Sequence, residues 1–228
     1  VTDWIEIGDC RIACGDCLEI LPELEAGCVD AVVTDPPYGV EGGHGGQLRD
    51  YRKADYTGGW EDNEEYIRTC CVPAIIESQR IAAAVAMTPG TRHAFLYPPP
   101  ADMGCFWSPA SARVGKWGFQ CYHPILYYGR YHRAGKGNWP NSTTMNERAP
   151  KLEHPCPKPE KAWTWLVEKA CPTHGSVLDP FMGSGTTGVA CIRTGRKFIG
   201  IEKDPQYFEV ARKRLENEWR NRQGRLFD

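Results

Sequence analysis

Twelve residues, Val177-Leu-Asp-Pro-Phe-Met-Gly-Ser-Gly-Thr-Thr-Gly188, restrict the fold more than any other part of the chain. An apolar run over Ser176–Leu178 reads as a strand, Gly183 and Gly185 supply a tight turn, and a helix follows from about Thr186 to Arg193. Glycine at such a turn lets a ligand come close to the main chain. Strand, glycine turn and helix in this order form the unit of an α/β sheet that binds nucleotide-like ligands at its strand ends. Lys197–Ile201 reads as the next strand and ends at Glu202, 19 residues after Gly183. An acid at that place can accept hydrogen bonds from ribose hydroxyls.

Read literally, Gly183-x-Gly185-x-x-Gly188 is also the fingerprint of nicotinamide dehydrogenases. Topology argues against that alternative, because only about one helix follows Glu202 and a second nucleotide-binding half cannot be built from it. The missing strands must come from the N-terminal part, which makes the arrangement permuted. Asp179, just before the turn, suits a positively charged ligand better than a pyrophosphate.

The remaining pattern fits one α/β domain over 1–228, a length that buries a core without splitting. Val29–Thr34 reads as a buried strand; Tyr66, Ile67, Cys70, Cys71 and Ala74 fall at helical spacing, as do Trp163, Leu166, Val167 and Ala170. Asp204-Pro205 is an N-cap with a first-turn proline, opening a helix with Tyr207, Phe208, Ala211, Leu215 and Trp219 on one face. The stretches 39–59 and 129–150 carry no periodicity and read as long loops, which in a compact domain usually serve function. Eleven cysteines raise the question of metal or disulfides, but Cys10, Cys14 and Cys17 lack a partner pair at metal-site spacing, so reduced core thiols and no metal are expected. The longest apolar run, Ile81–Met87, is too short to span a bilayer, and the acidic start at Asp3 and Glu6 is unlike a signal peptide. A cytoplasmic protein without membrane association is expected.

Asp35-Pro-Pro-Tyr38 follows directly on the Val29–Thr34 strand, at the end where open α/β sheets bind ligands. A carboxylate, a rigid turn with free carbonyls and an aromatic face can together hold a flat ring bearing an amino group. A plain proline turn with a surface tyrosine is the simpler reading of the tetrapeptide alone.

Taken together, the motifs resemble the beta-group, permuted amino-methyltransferases of DNA, which make N6-methyladenine or N4-methylcytosine. Gly15-Asp-Cys17 precedes Thr34-Asp-Pro-Pro-Tyr-Gly39; then come His154-Pro-Cys-Pro-Lys-Pro159, Asp179-Pro-Phe-Met-Gly-Ser-Gly-Thr-Thr187 and Gly200-Ile-Glu202. The resemblance implies a Rossmann-like S-adenosylmethionine-dependent fold, permuted, with a mostly parallel sheet and helices on both faces. It implies that Asp35 and the Pro36 carbonyl accept hydrogen bonds from the target amino group, within the Asp35, Pro36, Pro37, Tyr38 catalytic turn. Tyr38 would stack on the flipped base, for roughly 1–3 kcal/mol. Phe181, Gly183, Ser184, Gly185 and Thr186, with Asp35 and Asp179 close by, would surround the methionine part of S-adenosyl-L-methionine. Glu202 would bind its ribose, Asp16 and Cys17 its adenine, and Lys158 would lie near its carboxylate.

The implied reaction is direct, in-line methyl transfer to a base extruded from the duplex, with acceptors on the amino hydrogens freeing the nitrogen lone pair. A cysteine nucleophile at Cys156 does not fit, because that residue is a variable position of the His-Pro-x-x-Lys-Pro motif. The opening aspartate favours adenine over cytosine; RNA or protein amide substrates and an inactive DNA-binding protein are the further alternatives. A role in restriction-modification is among those the family fills.

The chain carries a formal net charge of −2, yet Arg113–Lys151 holds seven basic residues and one acid, Glu147. Such a segment attracts a phosphate backbone. Sequence recognition of double-stranded DNA is expected in loops 39–60 and 129–153, with Arg49, Arg52, Lys53, Arg130, Arg133 and Lys136 as candidate contacts. The shortness of these loops suggests a short target site or a homodimer. The ending Gln223-Gly-Arg-Leu-Phe227 resembles peptides that dock bacterial sliding clamps, and a frayed terminus is the simpler reading.

Overall fold

A computed structural model describes residues 2–39, 62–107, 113–115, 118–130, 142–144 and 158–224. Its centre is a nine-stranded sheet in the order β1-β2-β11-β10-β3-β4-β8-β5-β9. The parallel middle consists of β2 (Cys10–Cys14), β11 (Lys197–Glu202), β10 (Ser176–Asp179), β3 (Val29–Thr34) and β4 (Ala82–Met87). β1 (Trp4–Ile7) pairs antiparallel with β2 at one edge. At the other, β8 (Tyr122–Gly129) runs antiparallel to β4 and to β5 (Asp102–Trp107), and β9 (Ser142–Thr144) closes the edge parallel to β5. β6 (Arg113–Gly115) and β7 (Gly118–Gln120) form a separate two-stranded ribbon.

The two C-terminal strands β10 and β11 are inserted between the N-terminal strands β2 and β3. This is the permuted arrangement expected. Along β3, Ala31 and Val33 face one core and Val32 the other, so the two-residue alternation of the strand feeds both faces. One core takes Trp163, Leu166 and Val167 of α4 (Glu160–Ala170), Val189 and Ile192 of α5 (Thr186–Thr194), and Phe208, Ala211 and Leu215 of α6 (Pro205–Gly224). The opposite core takes Cys17 and Ile20 of α1 (Cys17–Ile20) and the helical stretch made of α2 (Glu64–Tyr66), a π-turn over Ile67–Cys71 and α3 (Val72–Ile81). Helices cover both faces, as a parallel sheet requires.

The spacing at 66–74 predicts an uninterrupted α-helix, and the π-turn departs from it. Pro73 stands at the start of α3 and offers no amide hydrogen to the turn before it, so the chain widens there while Ile67, Cys70, Cys71 and Ala74 all stay buried. A second departure lies within the expected 129–150 loop, where Ser142–Thr144 is a strand. The Asp204 cap is present: its carboxylate accepts from the Gln206 and Tyr207 amides at 2.7 and 3.2 Å.

The last glycine of the fingerprint acts through packing. A Cβ at Gly188 would lie 2.6 Å from Leu215 Cδ2 and 2.8 Å from Phe198 Cε1, between α6 and β11. Gly188→Ala is therefore expected to destabilise the protein by about 1–3 kcal/mol through overpacking, measured by urea unfolding; an unchanged midpoint would show that α5 shifts freely.

Candidate functional site

The parallel strands bring their carboxyl ends to one edge of the sheet, and each end carries a polar residue. In sheet order these are Asp16 after β2, Glu202 on β11, Asp179 on β10, Asp35 after β3 and Thr88 after β4. A cavity opens over this edge. Its walls include Asp16, Cys17, Asp35, Pro36, Pro37 and Tyr38 from the N-terminal half. Lys158, Asp179, Phe181, Gly183, Ser184, Thr186 and Glu202 line it from the C-terminal half. All these residues, singled out in sequence over a span of more than 180 positions, therefore meet in one place. Gly185 is the exception: it caps α5 at φ 78° and packs against α6, where a Cβ would sit 3.2 Å from the Ala211 Cβ.

Asp179 is 2% exposed and bonded entirely to the protein. It accepts from the Thr34 hydroxyl at 2.6 Å, the Phe181 amide at 3.1 Å and the Thr187 hydroxyl at 2.5 Å. Thr187 in turn accepts from the Trp163 indole at 3.1 Å. Burial pushes the Asp179 carboxyl up to about 6, against the opposing pull of those hydrogen bonds. Glu202 accepts from the Gly183 amide at 2.7 Å and the Asp204 amide at 2.8 Å, which pins the glycine turn to β11. Burial raises it to about 7, with the same opposition from its backbone donors.

Asp16 caps α1 by accepting from the Leu18 amide at 2.9 Å and pairs with Lys203 at 2.7 Å. Burial works to raise its carboxyl, but Lys203 and the Leu18 amide together outweigh it and hold it below the ordinary value. The ligand atoms of Asp16, Cys17 and Cys70 lie within 4.8 Å of one another. The sequence separates Cys70 from the other two by more than fifty residues and gives no sign of this cluster.

Asp35 is held from three sides. Lys158 pairs with its Oδ2 at 2.7 Å, and the hydroxyls of Tyr38 and Thr88 both donate to Oδ1. Lys158 also donates to the Tyr38 hydroxyl at 3.1 Å and stands 4.8 Å from the centre of its ring. Burial, reinforced by the Asp35 charge, pushes the Tyr38 phenol up to about 12. Burial alone would lower the Lys158 ammonium, but Asp35 and Tyr38 more than reverse that and raise it.

Several contributors carry no motif. Thr88, 1% exposed, donates its amide to Thr34 as well as its hydroxyl to Asp35. Arg214 reaches back from α6 to the Ser184 carbonyl at 3.1 Å and the Thr186 hydroxyl at 3.0 Å, while pairing with Glu160 at 2.6 Å. A buffered turn of this kind could have been suspected only from basic residues on the apolar side of α6. Of the expected DNA contacts, Arg130 is exposed at the end of β8; Arg49, Arg52, Lys53, Arg133 and Lys136 lie outside the described residues. His154–Pro157 and Arg225–Asp228 do so too, so the first half of the His-Pro-x-x-Lys-Pro motif and most of the tail are not described. No helix among the described residues is long and apolar enough to cross a membrane.

Fold and site together define an α/β protein of the S-adenosylmethionine-dependent methyltransferase fold. Among solved structures, that of the M1.HpyAVI–SAM complex superposes with a TM-score of 0.65 at 21% identity, covering 90% of this chain and 98% of that one. The cytosine-N4-specific PvuII DNA methyltransferase gives 0.63 at 15% identity, over 93% and 92%. Residues 122–213 match the N6_N4_Mtase family model, described as DNA methylase. The Type II methyltransferase M2.DpnII of Streptococcus pneumoniae is 42% identical over 83 residues, 36% of this chain and 31% of that protein. The match thus spans about a third of that relative. These matches liken parts of the chain to DNA methylases and its fold to that of DNA methyltransferases.

The two raised carboxyls set a pH dependence. An acid whose folded value exceeds its unfolded one binds more protons in the folded state, so stability falls as pH rises through the interval. For Glu202 that interval runs from its ordinary 4.5 to about 7, and for Asp179 from 3.8 to about 6. Urea unfolding of the ligand-free protein should show stability falling across this range, and Glu202→Gln should flatten the fall between pH 4.5 and 7. An unaltered slope in that variant would assign the dependence elsewhere.

Proposed function

We propose that this protein transfers a methyl group from S-adenosyl-L-methionine to the N6 amino group of adenine in double-stranded DNA, as a site-specific modification enzyme. The observation that carries this reading is the convergence of the Asp35-Pro-Pro-Tyr38 turn and the Gly183 turn on one cavity at the carboxyl edge of the sheet. The donor set suits the cofactor. Asp16, Asp35, Asp179 and Glu202 outnumber Lys158 and Lys203 on the cavity wall, which favours a ligand bearing a sulfonium and an ammonium over one bearing phosphates. Glu202 would take the ribose hydroxyls, Asp16 and Cys17 the adenine end, and Lys158 the carboxylate. Phe181, Gly183, Ser184 and Thr186 would wrap the amino-acid part.

When bound, the cofactor supplies an electrophilic methyl group. The protein's own task is to make an amino nitrogen nucleophilic, since its lone pair is delocalised into the ring. Asp35 and the Pro36 carbonyl would accept the two amino hydrogens and favour a tetrahedral nitrogen. Tyr38 would stack on the base, which has to leave the duplex to reach the cavity. Thr88, donating to Asp35, would orient its carboxylate. Transfer is direct, without attachment of the base to the protein. Asp at the head of the tetrapeptide favours adenine; cytosine N4 would use the same groups, and the likeness to the cytosine-N4-specific PvuII fold keeps that reading in view.

The test is incubation with methyl-labelled S-adenosylmethionine and unmethylated duplex DNA, followed by digestion and mass spectrometry of the nucleosides. N6-methyldeoxyadenosine is expected, reduced about 100-fold or more in Asp35→Ala, on the scale of losing a preorganised polar group at the reacting atom. N4-methyldeoxycytidine would change the base and keep the mechanism. Label in RNA or protein alone would overturn the DNA assignment. Thr88→Val should lower kcat about three- to tenfold with KM for the cofactor unchanged, a loss of up to about 1.4 kcal/mol in transition-state stabilisation; an unchanged kcat would remove Thr88 from the machinery.

A further inference from the structure

Asp35 has little acceptor capacity to spare for a substrate. A carboxylate offers about four lone-pair positions, and Lys158, Tyr38 and Thr88 occupy three of them. Lys158 does more than neutralise Asp35. Its ammonium donates to the Tyr38 hydroxyl and stands 4.8 Å from the centre of the Tyr38 ring and 6.0 Å from that of Trp163, at the hydroxyl rim of the aromatic face on which a flat base would lie. The polar end of the subsite for the amino-bearing ring is therefore occupied by one side chain. That side chain sits just ahead of α4, whose first turn is fixed by its pairing with Arg193 and Arg214. Only the flexible four-carbon stem of Lys158 is free to move the charge.

What moves it must be an anion that competes with Asp35 from within the same cavity. The acids of the walls are already engaged, Asp179 and Glu202 by hydrogen bonds and Asp16 by Lys203, so the competing anion has to arrive with the ligand. We infer that Lys158 is a switch between two subsites: it holds Asp35 and the Tyr38 hydroxyl, and the carboxylate of the bound cofactor draws it away and frees the base subsite. This rests on reading the cavity as the S-adenosylmethionine site. It adds to that reading an order of binding, cofactor before base, and makes Lys158 a positioning residue. The same step delivers Asp35 unpaired to the incoming amino group, at the moment when the cofactor is already in place. A base that enters first meets a neutralised carboxylate with an ammonium beside it.

The affinity cost of the Lys158–Asp35 pairing is the basis of the test. A ligand that binds a protein whose competent form is a minor fraction binds more weakly by that fraction. Calorimetric dissociation constants would be measured for S-adenosylhomocysteine and for its decarboxylated analogue. Four full-length proteins are needed: the wild type, Asp35→Asn, Lys158→Met and the double variant, each checked for a cooperative thermal transition. Asp35→Asn should tighten S-adenosylhomocysteine roughly tenfold when Lys158 is present, a change of about 1.4 kcal/mol, and should have no such effect in the Lys158→Met background. With the decarboxylated analogue, Asp35→Asn should change affinity by the same factor in both backgrounds, which removes the plain effect of deleting a negative charge. Should Asp35→Asn alter S-adenosylhomocysteine binding equally with and without Lys158, or weaken it only when Lys158 is present, the switch is overturned while the cofactor reading stands. Failure of the wild type to bind S-adenosylhomocysteine would overturn both. If Asp35→Asn does not fold, a preference for the carboxylate-bearing ligand that survives Lys158→Met decides against the switch.

Discussion

The buried carboxylate of Asp179 is the joint on which the site is assembled. A carboxylate this far from water is tolerable only when its oxygens are fully hydrogen-bonded, and the donors come from three separate elements. Thr34 ends β3 and stands directly before Asp35; Phe181 belongs to the glycine turn; Thr187 lies in the first turn of α5. The turn that shapes one half of the cavity and the strand that aims the other half are thus tied to the same two oxygen atoms. Trp163, bonded to Thr187, extends the tie to α4. Because each donor satisfies a group that cannot be left bare, small displacements of one half are resisted by the other.

The other acids on the sheet edge are handled differently. Glu202 is a half-buried acid held by backbone amides, while Asp16 and Asp35 are matched to Lys203 and Lys158. The first pair of acids, Asp179 and Glu202, fixes the main chain. The second pair is balanced by cations on long stems, which exchange partners at little cost in backbone geometry. A rigid floor carrying mobile countercharges is what a site needs if it is to hold a polar, charged ligand and still be stable without it.

Much of this was legible in the sequence, because the residues concerned are constrained twice, by backbone geometry and by chemistry. Val177–Gly188 and Asp35–Tyr38 announce themselves through glycine and proline at turns beside apolar strands, and the order of these two motifs along the chain marks the permuted strand order. Thr88 and Arg214 were not legible: a threonine at the end of an apolar strand and an arginine in a helix rich in arginine have no local signature. Their roles come from residues 53 and 30 positions away. The antiparallel strands β5 and β8 escaped notice for another reason. Asp102–Trp107 is mostly exposed or half-buried, so no two-residue hydrophobic alternation marks it. The cluster of Asp16, Cys17 and Cys70 depends on the packing of the π-turn against α1, which spacing along the chain does not encode.

The insertion of β10 and β11 between β2 and β3 also shapes how the chain reaches this structure. β2 and β3 are near neighbours in sequence, yet neither pairs with the other; the place between them is filled by strands more than 140 residues later. Until those later strands exist, β2 and β3 present unpaired apolar edges, and a sheet that closes through such distant contacts forms slowly. On a ribosome, where the N-terminal part emerges first, the long wait exposes those edges to aggregation and to wrong pairing with each other. The Asp179–Thr34 bond, spanning 145 positions, can form only at the close of that process. The cavity therefore comes into being as one of the last events of folding, and a chain interrupted before β10 has no partial version of it.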